Sequence, residues 1–197
     1  MPGIHRSERP QGVARLHDVG AISAARRVLV LGSPGAGKST LARRLAPTLG
    51  LPLVHLDRVY WDPGWVSSPP ERFEAAVRSL VAGPRWLIDG NYESTLAPRL
   101  ARADHVLWLD FSTPLCLYRS LQRQVWHRGR SRPDMAELCP ERFDPAFLAY
   151  VAAFRRRVRP KLARWRDSAP DGQAWTTLAS PRAVERLFAA LGRSPRA

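Results

Sequence analysis

Hydrophobic positions along the chain follow two alternating rhythms. Five short, nearly unbroken apolar runs read as buried strands: Arg27-Val28-Leu29-Val30-Leu31, Leu53-Val54-His55-Leu56, Trp86-Leu87-Ile88, His105-Val106-Leu107-Trp108-Leu109 and Ala174-Trp175-Thr176-Thr177-Leu178. Between them, apolar residues recur every three or four positions, the spacing of one helix face. The first such set is Leu41, Ala42, Leu45 and Leu49. Others are Phe73, Ala76, Val77 and Leu80; Leu96 and Leu100; Leu117, Tyr118, Leu121 and Val125; Phe147, Leu148, Val151 and Phe154; and Val184, Leu187, Phe188 and Leu191. Punctuation agrees with these boundaries. Pro47 is expected to kink or end the first helix early, Gly83-Pro84 ends the second, Pro114 and Pro145 open later ones, and Ser180 caps the last. Strands apolar on both faces and alternating with helices predict a parallel sheet covered on both sides, an α/β fold.

One turn in this pattern carries chemistry. Gly32-Ser33-Pro34-Gly35-Ala36-Gly37-Lys38-Ser39-Thr40 matches G-x-x-x-x-G-K-[ST], with a strand before it and a helix after it. Gly35 and Gly37 allow positive φ and let backbone N–H groups crowd onto phosphate oxygens. The helix N-terminus adds partial positive charge. Lys38 is placed for the β- and γ-phosphates, and the Ser39 hydroxyl for Mg²⁺. Composition sharpens the reading. Of 31 basic residues only Lys38 and Lys161 are lysine. Position 38 has kept the compact ammonium on a flexible stem that a phosphate loop needs, where nearly every other basic site is a guanidinium.

Other candidate groups gather where open α/β sheets bind ligands, at the C-terminal strand ends. Asp57, Asp89 and Asp110 all end strands there. Three carboxylates beside a phosphate loop suit Mg²⁺-bound waters or a substrate hydroxyl. Arg119 and Arg123 lie four apart on one helix face, placed for phosphate contact. Trp61 and Trp65 suit either stacking on a ring or anchoring a loop. His55 and His105 lie within strands and read as core.

Charge widens the field before narrowing it. The formal net charge is +14, and residues 119–166 hold 13 Arg/Lys against four acids. Such a patch suits nucleic acid or the phosphates of a nucleotide. The second is favoured, because the phosphate loop already implies a polyanionic ligand. The Arg155–Arg157 run reads as a solvated helix end. No run of eighteen apolar residues is present, so no membrane span is expected. Residues 1–26 are polar, broken by Pro and Gly, and lack the apolar centre of a secretory signal; they read as a flexible extension. Cys116 and Cys139 read as buried thiols of a cytoplasmic protein, and no Cys/His set has zinc spacing. The domain is expected over residues 27–191, with 192–197 as a tail.

The sequence resembles the P-loop nucleoside-monophosphate-kinase-like proteins, and within them the adenylate-kinase-related or DNA topology modulation set. The resemblance rests on Gly32–Thr40, Leu56-Asp57, Trp61-Asp62-Pro63-Gly64-Trp65, Trp86-Leu87-Ile88-Asp89-Gly90-Asn91-Tyr92, Arg119, Arg123, residues 128–133 and the region from Glu141 to Phe154. It implies a three-layer fold with a five-stranded parallel sheet in order 2-3-1-4-5 and a helical lid at about 128–143. It further implies lid arginines, Arg130 and Arg132 above all, closing over ATP; Asp89 holding a Mg²⁺ water; Asp57 orienting or deprotonating an acceptor hydroxyl; and Ser180-Pro181-Arg182 beside adenine. ATP-dependent phosphoryl transfer to a small acceptor is therefore the leading expectation. An ATP-regulated nucleic-acid-binding protein is the alternative. Asn91-Tyr92 replaces the arginine that adenylate kinases carry soon after Asp-Gly, which argues against AMP as acceptor.

Overall fold

The computed structural model describes residues 16–131 and 133–192. Its centre is strand β1 (Arg27–Gly32), with Val28, Leu29, Val30 and Leu31 all fully buried. A strand walled in on both faces has no polar side, which is why the run is continuous rather than alternating. Chain order continues through β2 (Leu53–His55), a two-stranded hairpin of β3 (Trp61–Asp62) and β4 (Val66–Ser67), then β5 (Trp86–Asp89), β6 (His105–Leu109) and β7 (Ala174–Leu178). The main sheet is parallel and ordered β2-β5-β1-β6-β7. Counting only its own five strands, that is 2-3-1-4-5, as expected.

Helices cover both faces. On one side α1 (Leu16–Ala24), α2 (Lys38–Leu49) and α9 (Pro181–Leu191) pack on Val28 and Val30 through Ile22, Leu41, Leu45 and Leu187. On the other, α4 (Pro70–Ala82) and α5 (Leu96–Leu100) bring Phe73, Val77 and Leu100 against Leu29 and Ile88. Phe154 of α7 (Pro145–Arg157) and Leu162 of α8 (Arg159–Asp167) join this second cluster. Helix α3 (Leu56–Tyr60) follows β2 directly, and α6 (Thr113–Trp126) runs behind the phosphate loop.

Two expectations are corrected, and two further features lay outside them. Residues 16–26 are not a loose extension: Ile22 is fully buried and Val19 and Ala25 nearly so, tying α1 into the core; residues 1–15 lie outside the described residues. Pro47 does not shorten α2. It sits in the last turn, and the helix stops at Gly50, whose φ of 61° lets the Leu51 N–H return to the Ala46 carbonyl. Helix α8 was hidden in sequence by its run of arginines. In α6 the apolar face is turned outward. Tyr118, Leu121 and Val125 are 62%, 43% and 61% exposed, while Cys116, Ser120 and Gln124 are buried. The reason is steric: a Cβ on Gly35 would come within 2.2 Å of the Cys116 carbonyl oxygen, so the face that meets the loop carries small or slender side chains. Between α6 and α7, the described residues of 127–144 form turns and two isolated bridges, Arg128–Glu141 and Ser131–Pro140; the helices of this lid region are those that flank it.

Candidate active site

Gly32 ends β1 at φ 143°, and Gly35 and Gly37 follow at 78° and 92°, all in the region that side chains disfavour. The chain folds back so that Gly37 becomes the N-cap of α2 with no side-chain partner on its orphan N–H groups. The loop and the start of α2 line the cavity beside them, an arrangement that suits an anion. Lys38 bends back over its own loop, its Nζ donating to the Ser33 carbonyl at 3.2 Å. Burial pushes its ammonium below the usual lysine range, and the carboxylates of Asp57 and Asp89 pull the other way. Lys38 and the two acids are thus close enough to feel one another across the strand ends.

A cavity of about 890 Å³ opens over this loop. Its walls include Lys38, Ser39, Asp57, Asp89, Arg119 and Arg123, so most of the residues singled out by sequence converge there. Arg119 lies alongside Gly37, one guanidinium nitrogen 4.0 Å from where a Cβ would stand. Arg123 is held by the buried carboxylate of Glu141, Nε to Oε1 3.1 Å, and covers the Phe147 ring. Pro181 and Val184 line the cavity where the resemblance places adenine.

Some predicted groups lie elsewhere. Asp110 does not line the cavity. It is clasped by Arg159, with Nε to Oδ2 2.9 Å, and approached by Arg155 at 3.6 Å. The Arg155–Arg157 run is therefore not simply a solvated end, and part of the basic charge of 119–166 is spent inside the molecule. Arg130 is exposed and outside the cavity lining; its carbonyl accepts from the Glu141 N–H in the bridge that shapes the lid. Arg132 lies outside the described residues.

Several partners of the site residues had no role assigned from sequence. Asp89 is not a bare carboxylate: its Oδ1 lies 2.6 Å from Nδ1 of His55, and both are buried. Asp57 accepts from the Tyr92 hydroxyl at 2.7 Å, and burial beside that carboxylate drives the phenol well above its usual range. Asn91 grips Gly32 from both sides, accepting from its N–H at 3.1 Å and donating to its carbonyl at 2.8 Å. The one available signal was the unusual Asp-Gly-Asn-Tyr string itself. The lid also touches the hairpin. Gly64 N–H donates to the Leu138 carbonyl at 3.0 Å, the Trp65 indole to the Pro140 carbonyl at 2.9 Å, and the buried Cys139 thiol to the Asp62 carbonyl at 3.4 Å. Trp61 and Trp65 meet edge to face at 5.3 Å, so each is both a loop anchor and a cavity wall.

No protein-family model matches the chain, and no curated protein matches it. Among solved structures it resembles a crystal structure of shikimate kinase from Bacteroides thetaiotaomicron, with a TM-score of 0.52 at 16% identity. The match covers 86% of this chain and 96% of that one. The likeness is one of fold: the chain shares with that kinase a five-stranded parallel sheet between helices. Among the described residues no helix is long and apolar enough to cross a membrane, and no group of three or more His, Cys, Asp or Glu forms a metal cluster.

Proposed function

We propose that the protein transfers the γ-phosphoryl group of ATP to a hydroxyl of a small acceptor. The observation that carries this reading is the convergence of Lys38, Asp57, Asp89, Arg119 and Arg123 on one cavity at the C-terminal edge of the sheet. The orphan N–H groups at the start of α2 and Lys38 cradle the phosphates. Arg119 and Arg123 face them from α6 and offset charge on the moving phosphoryl group. Asp57 lines the same cavity, where a carboxylate accepts the proton of an incoming hydroxyl or holds that hydroxyl in line. Catalysis of this kind is mostly positioning and electrostatics.

The residues also fit Mg²⁺. The donor set of the Ser39 hydroxyl and the Asp89 carboxylate is all oxygen, which a hard cation prefers. Ser39 and Asp89 would hold the ion, which would neutralise phosphate charge there, and His55 keeps that carboxylate oriented. The name of the structural neighbour, a kinase, agrees with this class without supplying the acceptor. The donor half is adenylate-kinase-like. The acceptor half departs from that pattern: Asn91 and Tyr92 line the cavity but are bonded to Gly32 and Asp57. Two buried free thiols, Cys116 and Cys139, accord with a reducing cytoplasm.

The test is a panel of small hydroxyl and phosphate acceptors assayed with Mg·ATP. Lys38→Ala is expected to lower transfer by about a hundredfold or more. Absence of ATP binding and turnover in the unaltered protein, across the panel, ends the reading.

A further inference from the structure

Arg99 is fully buried and, among the described residues, its hydrogen bonds go to carbonyls rather than to a carboxylate. Its guanidinium donates to Thr95 at 3.0 Å, to Gly90 at 2.8 Å, to Tyr92 at 2.8 Å, and also to Asn91. Burial pushes it down to about 9, so it stays a cation at neutral pH. A cation without an opposite charge is an expensive way to fill a core, where leucine or methionine would serve. What the guanidinium fork does instead is fix three successive carbonyls in one arrangement. That arrangement holds Tyr92 at φ 28°, a backbone conformation that a bulky residue rarely adopts.

The two side chains so presented point to opposite halves of the cavity. Asn91 holds the backbone of Gly32 at the root of the phosphate loop through both its amide atoms. Tyr92 packs its ring on Tyr60 and Phe73, a role phenylalanine would fill equally, yet its hydroxyl reaches Asp57. We propose that Asn91 and Tyr92 are one positioning element pinned by Arg99, setting the phosphate loop on the donor side and Asp57 on the acceptor side together. The inference rests on the kinase reading above. It adds that neither half-site is aligned by its own segment alone.

The test uses two probes that need no knowledge of the acceptor: equilibrium binding of Mg·ADP, and slow hydrolysis of Mg·ATP with water standing in for the acceptor. Tyr92→Phe is expected to lower the hydrolysis rate about tenfold while the Mg·ADP affinity stays within about twofold. Asn91→Ala is expected to weaken Mg·ADP about tenfold. Arg99→Lys keeps a cation but loses the fork, and is expected to impair both readouts. Where Arg99→Lys does not fold, the opposite signatures of the first two variants decide the matter. Melting temperatures are followed in parallel, since a merely structural role would lower them and leave the kinetics of the folded fraction unchanged. That result, or two variants with the same profile, overturns the inference and leaves the kinase reading standing. Wild-type protein that binds Mg·ADP but releases no phosphate also overturns it. Wild-type protein that does neither ends the kinase reading and the inference with it.

Discussion

The two halves of the cavity are built in opposite ways. The proposed donor half is nine consecutive residues, Gly32–Thr40, running from the last residue of a strand into the first turn of the helix that follows it. The acceptor half is collected from α3, the β3–β4 hairpin, the loop after β5 and the lid, with partners such as Asp57 and Tyr92 separated by 35 positions. A phosphate is met by backbone N–H groups, which any sequence supplies once glycines allow the turn, so the motif is short and general. An acceptor is met by side chains, whose identity varies with the ligand and whose partners are fixed by tertiary packing.

Three substitutions test how far that contrast extends. The largest effect is expected in the donor half. Gly35→Ala places a Cβ 2.2 Å from the Cys116 carbonyl and 2.6 Å from Ser120 Oγ, at φ 78°. Backbone cannot yield there as a flexible side chain would, so stability is expected to fall by about 3 kcal/mol and nucleotide binding with it. Thermal unfolding should register this as a melting point lower by roughly 10 °C. Next comes the acceptor half. Asp57→Asn keeps the shape and removes the charge; phosphoryl transfer is expected to drop about a hundredfold, with Mg·ADP affinity held. Equal losses in both measurements would mean the halves are not separable. The smallest effect is expected at Arg130, exposed and away from the cavity: Arg130→Ala should leave kcat/KM within about twofold. A large loss there, seen in steady-state kinetics, would show that the lid swings further inward than its present bridges place it.

The same contrast explains what was legible in the sequence. Strand runs, the order 2-3-1-4-5 and the phosphate loop were readable because each follows from local pattern or from a resemblance carried by contiguous motifs. The outward apolar face of α6 was not, since helical spacing says that Tyr118, Leu121 and Val125 share a side but not which way it turns. That depends on Gly35, eighty residues upstream, needing a close neighbour. His55 and Asp89 were each read alone, one as core and one as a ligand-holding acid. Only the adjacency of β2 and β5, with His55 and Asp89 in register, makes them a pair. Arg99 gave no signal at all, one arginine among many.

One consequence concerns time rather than affinity. The lid and the hairpin both line the cavity and are joined by the Gly64–Leu138 and Trp65–Pro140 hydrogen bonds. A molecule passing between the lid and the hairpin would have to part those bonds. Such openings run at roughly microseconds to milliseconds, and in many enzymes it is this step that sets the pace of turnover. The Trp65 indole, one of the bonded groups, would brighten or dim with each opening, giving the molecule a built-in clock for its own latch.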